Sequence, residues 1–175
     1  MAGQKPPAAV KMLDLFQQLQ AARQQRPPAK VAFRLNQAEV NDYLRYSLAA
    51  IPRPGVRSST VKFFHGNYVS TFTTVDFDAV ERWKPGTIPA LLRPVLKGTK
   101  TIWVDVRFQT NNGTATFGVE KAYFQSIRLP AFVVEKVIAI VAARQPEKYD
   151  TSKPLPLPFG LKRLWVEDKA FSGTN

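Results

Sequence analysis

The sequence predicts an α+β fold: an antiparallel β-sheet packed on amphipathic and apolar helices, in a single domain. Two stretches alternate apolar and polar residues on both sides of a turn signal, the pattern of β-hairpins and hence of antiparallel sheets. Other stretches carry apolar residues at helical spacing. The length of 175 residues, 45% of them hydrophobic, suits one domain that needs no disulfide or metal to hold it.

Each element follows from local pattern. Residues 8–25 read as a helix with Val10, Leu13, Phe16 and Leu19 on one side, ended by Pro27 and Pro28. Residues 1–30 are thus a helix and linker. Val31, Phe33 and Leu35 alternate as a short strand, and Asn36 with Glu39 three residues on forms a capping-box start for the next helix. Its apolar face is Val40, Tyr43, Leu44 and Leu48, and Pro52 and Pro54-Gly55 end it. Residues 59–64 and 68–77 flank His65-Gly66-Asn67 as a first hairpin, and residues 78–83 form about one helical turn. The second hairpin sets Ile102, Val104, Val106 and Phe108 against Ala115, Phe117 and Val119 across Asn111-Asn112-Gly113. A further strand is expected over 122–129. Pro130 starts a helix to Arg144 that is apolar on most sides, through Phe132, Val133, Val137, Ile138, Ile140 and Val141. A Pro-rich connector leads to a last strand over 161–167, and 169–175 read as a polar tail.

The residue inventory points away from catalysis. With no cysteine, thiolate chemistry, disulfides and cysteine-ligated metals are excluded. The lone histidine, His65, sits in a predicted turn and reads as an exposed turn residue. Asp76 and Asp78 share a strand end, where acids usually cap or stay solvated. No phosphate loop, metal-ligand spacing or dinucleotide fingerprint is present. The sequence therefore implies no catalytic residue, no metal and no cofactor, and no enzyme.

Charge implies partners. Lys+Arg number 25 against 13 Asp+Glu, a formal net charge of +12, which attracts polyanions or anionic membrane surfaces. The segment 83–100 is unusual in setting Trp83, Leu91, Leu92 and Val95 among Lys84, Arg93, Lys97 and Lys100, with Pro85, Pro89 and Pro94 preventing one long helix. Apolar residues rimmed by cations suit shallow insertion among anionic headgroups, so Trp83, Lys84, Leu91, Leu92, Arg93 and Lys97 are the expected membrane contacts. The competing expectation is a loop packed over one end of the core. Aromatics interleaved with cations, as in Lys62-Phe63-Phe64 and 123–128, are also what a single-strand nucleic-acid surface uses. Basic nucleic-acid binding or a scaffold role is the alternative function.

The stretches FRLNQAEVNDYLRYSL (33–48), IPRPGVRSSTVKF, RLPAFVVEKVIAIV and LPLPFGLKRLWVED together resemble the tubular lipid-binding (TULIP-like) and AsmA-like domains of bacterial envelopes, over roughly residues 31–168. The resemblance implies a strongly curved antiparallel sheet around a long helix, an apolar groove for acyl chains, and a periplasmic setting reached through a leader ahead of Met1. The function expected is non-catalytic binding or transport of a lipid or other hydrophobic ligand near an anionic membrane. Its ligand would face Tyr43, Leu44, Phe108, Phe117, Phe132, Val133, Val137 and Val141.

Overall fold

The computed structural model describes residues 5–88, 90–130, 132–134 and 153–175. The elements run α1 (Pro7–Gln24), β1 (Ala32–Asn36), α2 (Gln37–Ala50), β2 (Val56–Phe64), β3 (Tyr68–Asp76), α3 (Phe77–Trp83), a 3₁₀ turn (Ala90–Leu92), β4 (Thr99–Asn111), β5 (Thr114–Phe124), β6 (Ile127–Arg128), β7 (Leu155–Pro156), a second 3₁₀ turn (Pro158–Gly160), β8 (Arg163–Glu167) and β9 (Ala170–Thr174). The fold is α+β, and its strands pair antiparallel.

The local signals act as expected in the hairpins and at α2. Asn112 and Gly113 take positive φ (40° and 90°) and turn β4 into β5. The Asn36 side chain accepts from Glu39 N at 2.8 Å while Glu39 accepts from Asn36 N at 2.8 Å, a complete capping box.

The strands form two sheets rather than one. The larger has six strands, ordered β2-β3-β4-β5-β6 with β7 also on β5; the smaller is β1-β9-β8. Residues 170–174, expected in a polar tail, are the central strand of the small sheet, and Ala170, Ser172 and Gly173 are buried. Small side chains let a central strand be packed closely, and their lack of apolar alternation hides it from pattern reading. The strand expected over 122–129 is divided: a register shift at Asp105/Val106 carries β5 through Phe124, Gln125 turns at φ 57°, and β6 returns. Of the helix expected from Pro130, residues 132–134 are helical, and Val137, Val141 and their neighbours lie outside the described residues.

Among the described residues two buried hydrophobic clusters stand out. Met12, Leu15 and Leu19 of α1 pack with Leu35 and Leu161, so the N-terminal helix belongs to the core and is no appendage. Its buried face, Ala9-Met12-Leu15-Leu19-Ala22, is offset from the expected one, leaving Val10 exposed. The second cluster is Phe63, Phe108 and Val166. The β2 edge is capped by α2: Asn41 both donates to Val61 O (2.9 Å) and accepts from Val61 N (2.8 Å), and Gln37 accepts from Phe63 N (2.9 Å). These bonds satisfy edge groups that would otherwise recruit another strand.

Candidate functional site

The six-stranded sheet has two unlike ends. At the far end the hairpin turns lock onto the small sheet. Asn67 accepts from Val166 N (2.7 Å), Thr110 Oγ1 donates to Leu164 O (2.9 Å), and Gly113 N donates to Lys162 O (2.9 Å). At the near end lie α3, the loop that follows it, the β5–β6 turn and the loop from α2 to β2.

Backbone bonds gather these near-end segments. Phe77 N donates to Gly98 O (2.9 Å), Gln125 N to Thr101 O (2.8 Å) and Asp76 N to Gly55 O (2.7 Å). Gly55, at φ 82°, abuts α3 so closely that a Cβ there would stand 2.2 Å from Val80, which only glycine allows. Glu81 organises the loop. It accepts from Gly86 N (2.8 Å), Ile88 N (3.1 Å) and Arg93 Nη2 (2.9 Å). The two backbone bonds, more than the nearby Arg93 charge, outweigh burial and hold the Glu81 carboxyl below its ordinary value.

This end is apolar at its surface and cationic at its rim. Ile51 is 67% exposed, Trp83 64%, Val95 56% and Ile127 65%. Such residues, scattered singly, need no explanation; gathered on one end they mark a contact surface. The carboxylates of Asp76 and Glu81 are already paired to Arg57 (2.5 Å) and Arg93 (2.9 Å). Arg53, Arg82, Lys84, Lys97, Lys100 and Arg128 lie in or beside the segments of this end, with Asp76 feeling the Arg82 charge.

The expected membrane contacts fall here together. Trp83, Lys84, Leu92, Arg93 and Lys97 are exposed on one lobe, and Leu91 lies in its 3₁₀ turn. Ile88, from the same segment, is buried instead. Ile51, Arg53 and Ile127 join from other elements. Sequence reading missed them because they lie in separate connections that only tertiary structure brings together, although Ile51 beside Pro52 marked the end of α2.

The described members of the expected ligand set are not brought to one space. Tyr43 packs edge-on to Phe16 at 5.7 Å in the first cluster, and Leu44 is half-buried on α2. Phe108 is buried in the second cluster, with Phe117, exposed, 6.2 Å away across the hairpin. Phe132 is exposed and Val133 half-buried. Beside the start of that helix a hollow of about 270 Å³ is lined by Val119, Ala122, Arg128, Leu129 and Pro130 among others. The inward sheet face is apolar to mildly polar in its middle, where Thr71, Thr73, Ile102 and Val104 are half-buried.

Two residues weighed as candidate acid–base groups have local structural roles. His65 is exposed in its turn, with its backbone N donating to Asp168. Asp76 N-caps α3 through Ala79 N (2.9 Å), and that bond and Arg57 hold its carboxyl below the ordinary value. No helix among the described residues is long and apolar enough to cross a membrane, and no metal-binding group of side chains occurs among them. No protein-family model, curated protein or solved structure matches the chain. The fold and the near end together define a basic α+β domain whose near end carries exposed apolar side chains.

Proposed function

We propose that this protein binds or carries a lipid or similar hydrophobic ligand, without catalysis, while docked by its near end on an anionic membrane. The observation that carries the proposal is that Ile51, Trp83, Val95 and Ile127, each more than half exposed, lie in the near-end segments that also carry Arg53, Arg82, Lys84, Lys97, Lys100 and Arg128. Apolar side chains that enter the headgroup region gain transfer energy, and each nearby Lys or Arg adds attraction to anionic lipid. The half-buried middle of the inward sheet face offers a mixed wall for a ligand, Ile102 and Val104 beside Thr71 and Thr73. The sequence resemblance to tubular lipid-binding domains points to the same use.

Two measurements test this. Vesicle flotation at low salt is expected to show binding to phosphatidylglycerol vesicles and little to phosphatidylcholine, weakening steeply as salt rises. Native mass spectrometry of gently purified protein is expected to show phospholipid-sized adducts. Equal binding to both vesicle types removes the near-end cations from the account; absence of adducts after incubation with phospholipid removes the carrier role.

A further inference from the structure

The outward face of the six-stranded sheet carries an arrangement that membrane docking does not use. Three cross-strand rows lie on it: Thr60–Phe72–Trp103–Tyr123–Arg128, then Lys62–Ser70–Asp105–Lys121, then Phe64–Tyr68–Arg107–Gly118. Within these rows only Ser70 and Asp105 are buried.

Asp105 is 2% exposed and accepts from Tyr68 OH (2.5 Å), Ser70 Oγ (2.6 Å) and Trp103 Nε1 (2.6 Å). Burying a carboxylate beneath an outward sheet face is costly, and a threonine there would keep the strand pairing without that cost. What the carboxylate adds is fixed orientation, because each ring it holds loses its rotamer freedom. Trp103 is further clamped between Phe72 (ring centroids 5.2 Å apart) and Tyr123 (4.8 Å). Lys62 lies over the Phe72 ring and Arg107 over the Tyr68 ring, each 5.4 Å from the centroid. Rings and cations immobilised before contact lower the entropic cost of association.

We propose that this face is a protein-docking surface whose partner presents an acidic patch or segment. Its make-up of Trp, Tyr, Phe and Arg at the centre is that of interface hot spots. Arg107 is paired with Glu120 (2.6 Å) and Lys121 stands opposite the buried Asp105 carboxylate, so that Lys62, Lys121, Arg107 and Arg128 against those two acids leave the face net positive. The rings offer their electropositive edges, which also favour carboxylates. Nucleic acid fits less well, since stacked bases need free ring faces and these are filled by neighbouring rings and cations. A bilayer also fits less well, because the central rings are half-buried. The proposal uses the face of the sheet where the membrane role uses its end; Arg128 alone lies in both.

The experiment is an NMR titration of the whole chain with poly-L-glutamate, following the Trp103 indole N–H and the amides of β3 to β5. These signals are expected to shift, and Lys62→Glu with Lys121→Glu to weaken binding about tenfold or more, while Lys97→Glu at the near end leaves the Trp103 shift in place. Asp105→Asn separates fixed orientation from charge. It makes the face more positive, so pure charge attraction would strengthen binding, whereas loosened rings weaken it. Weaker binding by a folded Asp105→Asn protein supports the proposal. Shifts confined to the near end, or unchanged affinity in the Lys62/Lys121 double variant, overturn it. So does oligo-dT that displaces poly-L-glutamate and shifts Trp103 at lower concentration. If Asp105→Asn does not fold, the Lys62/Lys121 variant decides alone.

Discussion

The two ends of the six-stranded sheet are built from similar turn-forming segments but differ in how much apolar surface they leave open: the far end exposes Phe64 and Phe117 while burying Phe63 and Phe108, and the near end exposes four large side chains while burying Ile88 and Phe124. At the far end, Phe63 and Phe108 are covered by Val166 and Phe171, and the turn backbone is spent on bonds to β8. At the near end, backbone bonds join the segments to one another, and Ile51, Trp83, Val95 and Ile127 are left facing outward. Ion pairs occur on both sides, Arg34 and Lys11 by the small sheet and Arg57 and Arg93 at the near end, while Arg53, Arg82, Lys84 and Lys97 at the near end have no ion pair among the described residues. Stability is concentrated where side chains are covered, and the near end is free to meet something else.

Substitutions can break this contrast. Phe63→Ala removes a buried ring at the far end and is expected to cost about 3–5 kcal/mol; urea unfolding that shows under about 1 kcal/mol would mean the far end is no anchor. Gly173→Ala belongs to the same half, since a Cβ there would meet Phe33 and Leu164 at 2.6 Å; overpacking of this kind costs about 1–3 kcal/mol. Asn67→Ala loses the bond to Val166 N and must keep φ near 58° without the asparagine side chain, a cost of about 1–3 kcal/mol in thermal melts.

Acid provides a test spanning both ends. The folded pKa values of Glu39, Asp76, Glu81 and Asp105 are all depressed from ordinary values of 4.5 or 3.8. At Glu39 the Lys11 bond and the Asn36 backbone lead; at Asp105 burial acts to raise the value, but the bonds from Ser70, Tyr68 and Trp103 outweigh it. A depressed acid stabilises the fold above its unfolded pKa and loses that contribution as pH falls through the folded value, so melting temperature should fall below about pH 4. Tyr68 behaves in the opposite sense: burial first, then the Asp105 bond, push it up from 10.0 to about 12. Its contribution is complete below pH 10 and is lost as pH rises through about 12. A flat stability profile from pH 2 to pH 6 would contradict these assignments.

Much of this contrast was legible in the sequence, but unevenly. The hairpins announced themselves through alternation and Asn112-Gly113, and α2 through Asn36 and Glu39. The apolar, cationic character of 83–100 was also visible. The face of α1 was misplaced because Ala9, Met12 and Ala22, which line it, are weaker apolar markers than Val10 and Leu13. Strand β9 was invisible because Ala170, Ser172 and Gly173 are buried by pairing on both sides, not by their own hydrophobicity. Nor could the sequence bring the loops of Ile51, Trp83 and Ile127 to one end of the sheet, or gather Tyr68, Ser70 and Trp103 around Asp105, since both depend on strand pairing.

The smallest expected change in stability comes with the largest expected change in binding. Ile51→Ser, Val95→Ser and Ile127→Ser should each alter stability by about 0.5 kcal/mol or less, yet together nearly abolish binding to phosphatidylglycerol vesicles. The most direct measurement is fluorescence quenching by phosphatidylglycerol brominated along its acyl chains. If the near end enters the membrane, part of the tryptophan emission is quenched in the whole protein, and that part disappears in Trp83→Phe while vesicle binding is largely retained. Binding to these vesicles with no quenching, or with quenching unchanged in Trp83→Phe, would place the membrane contact elsewhere and contradict the account.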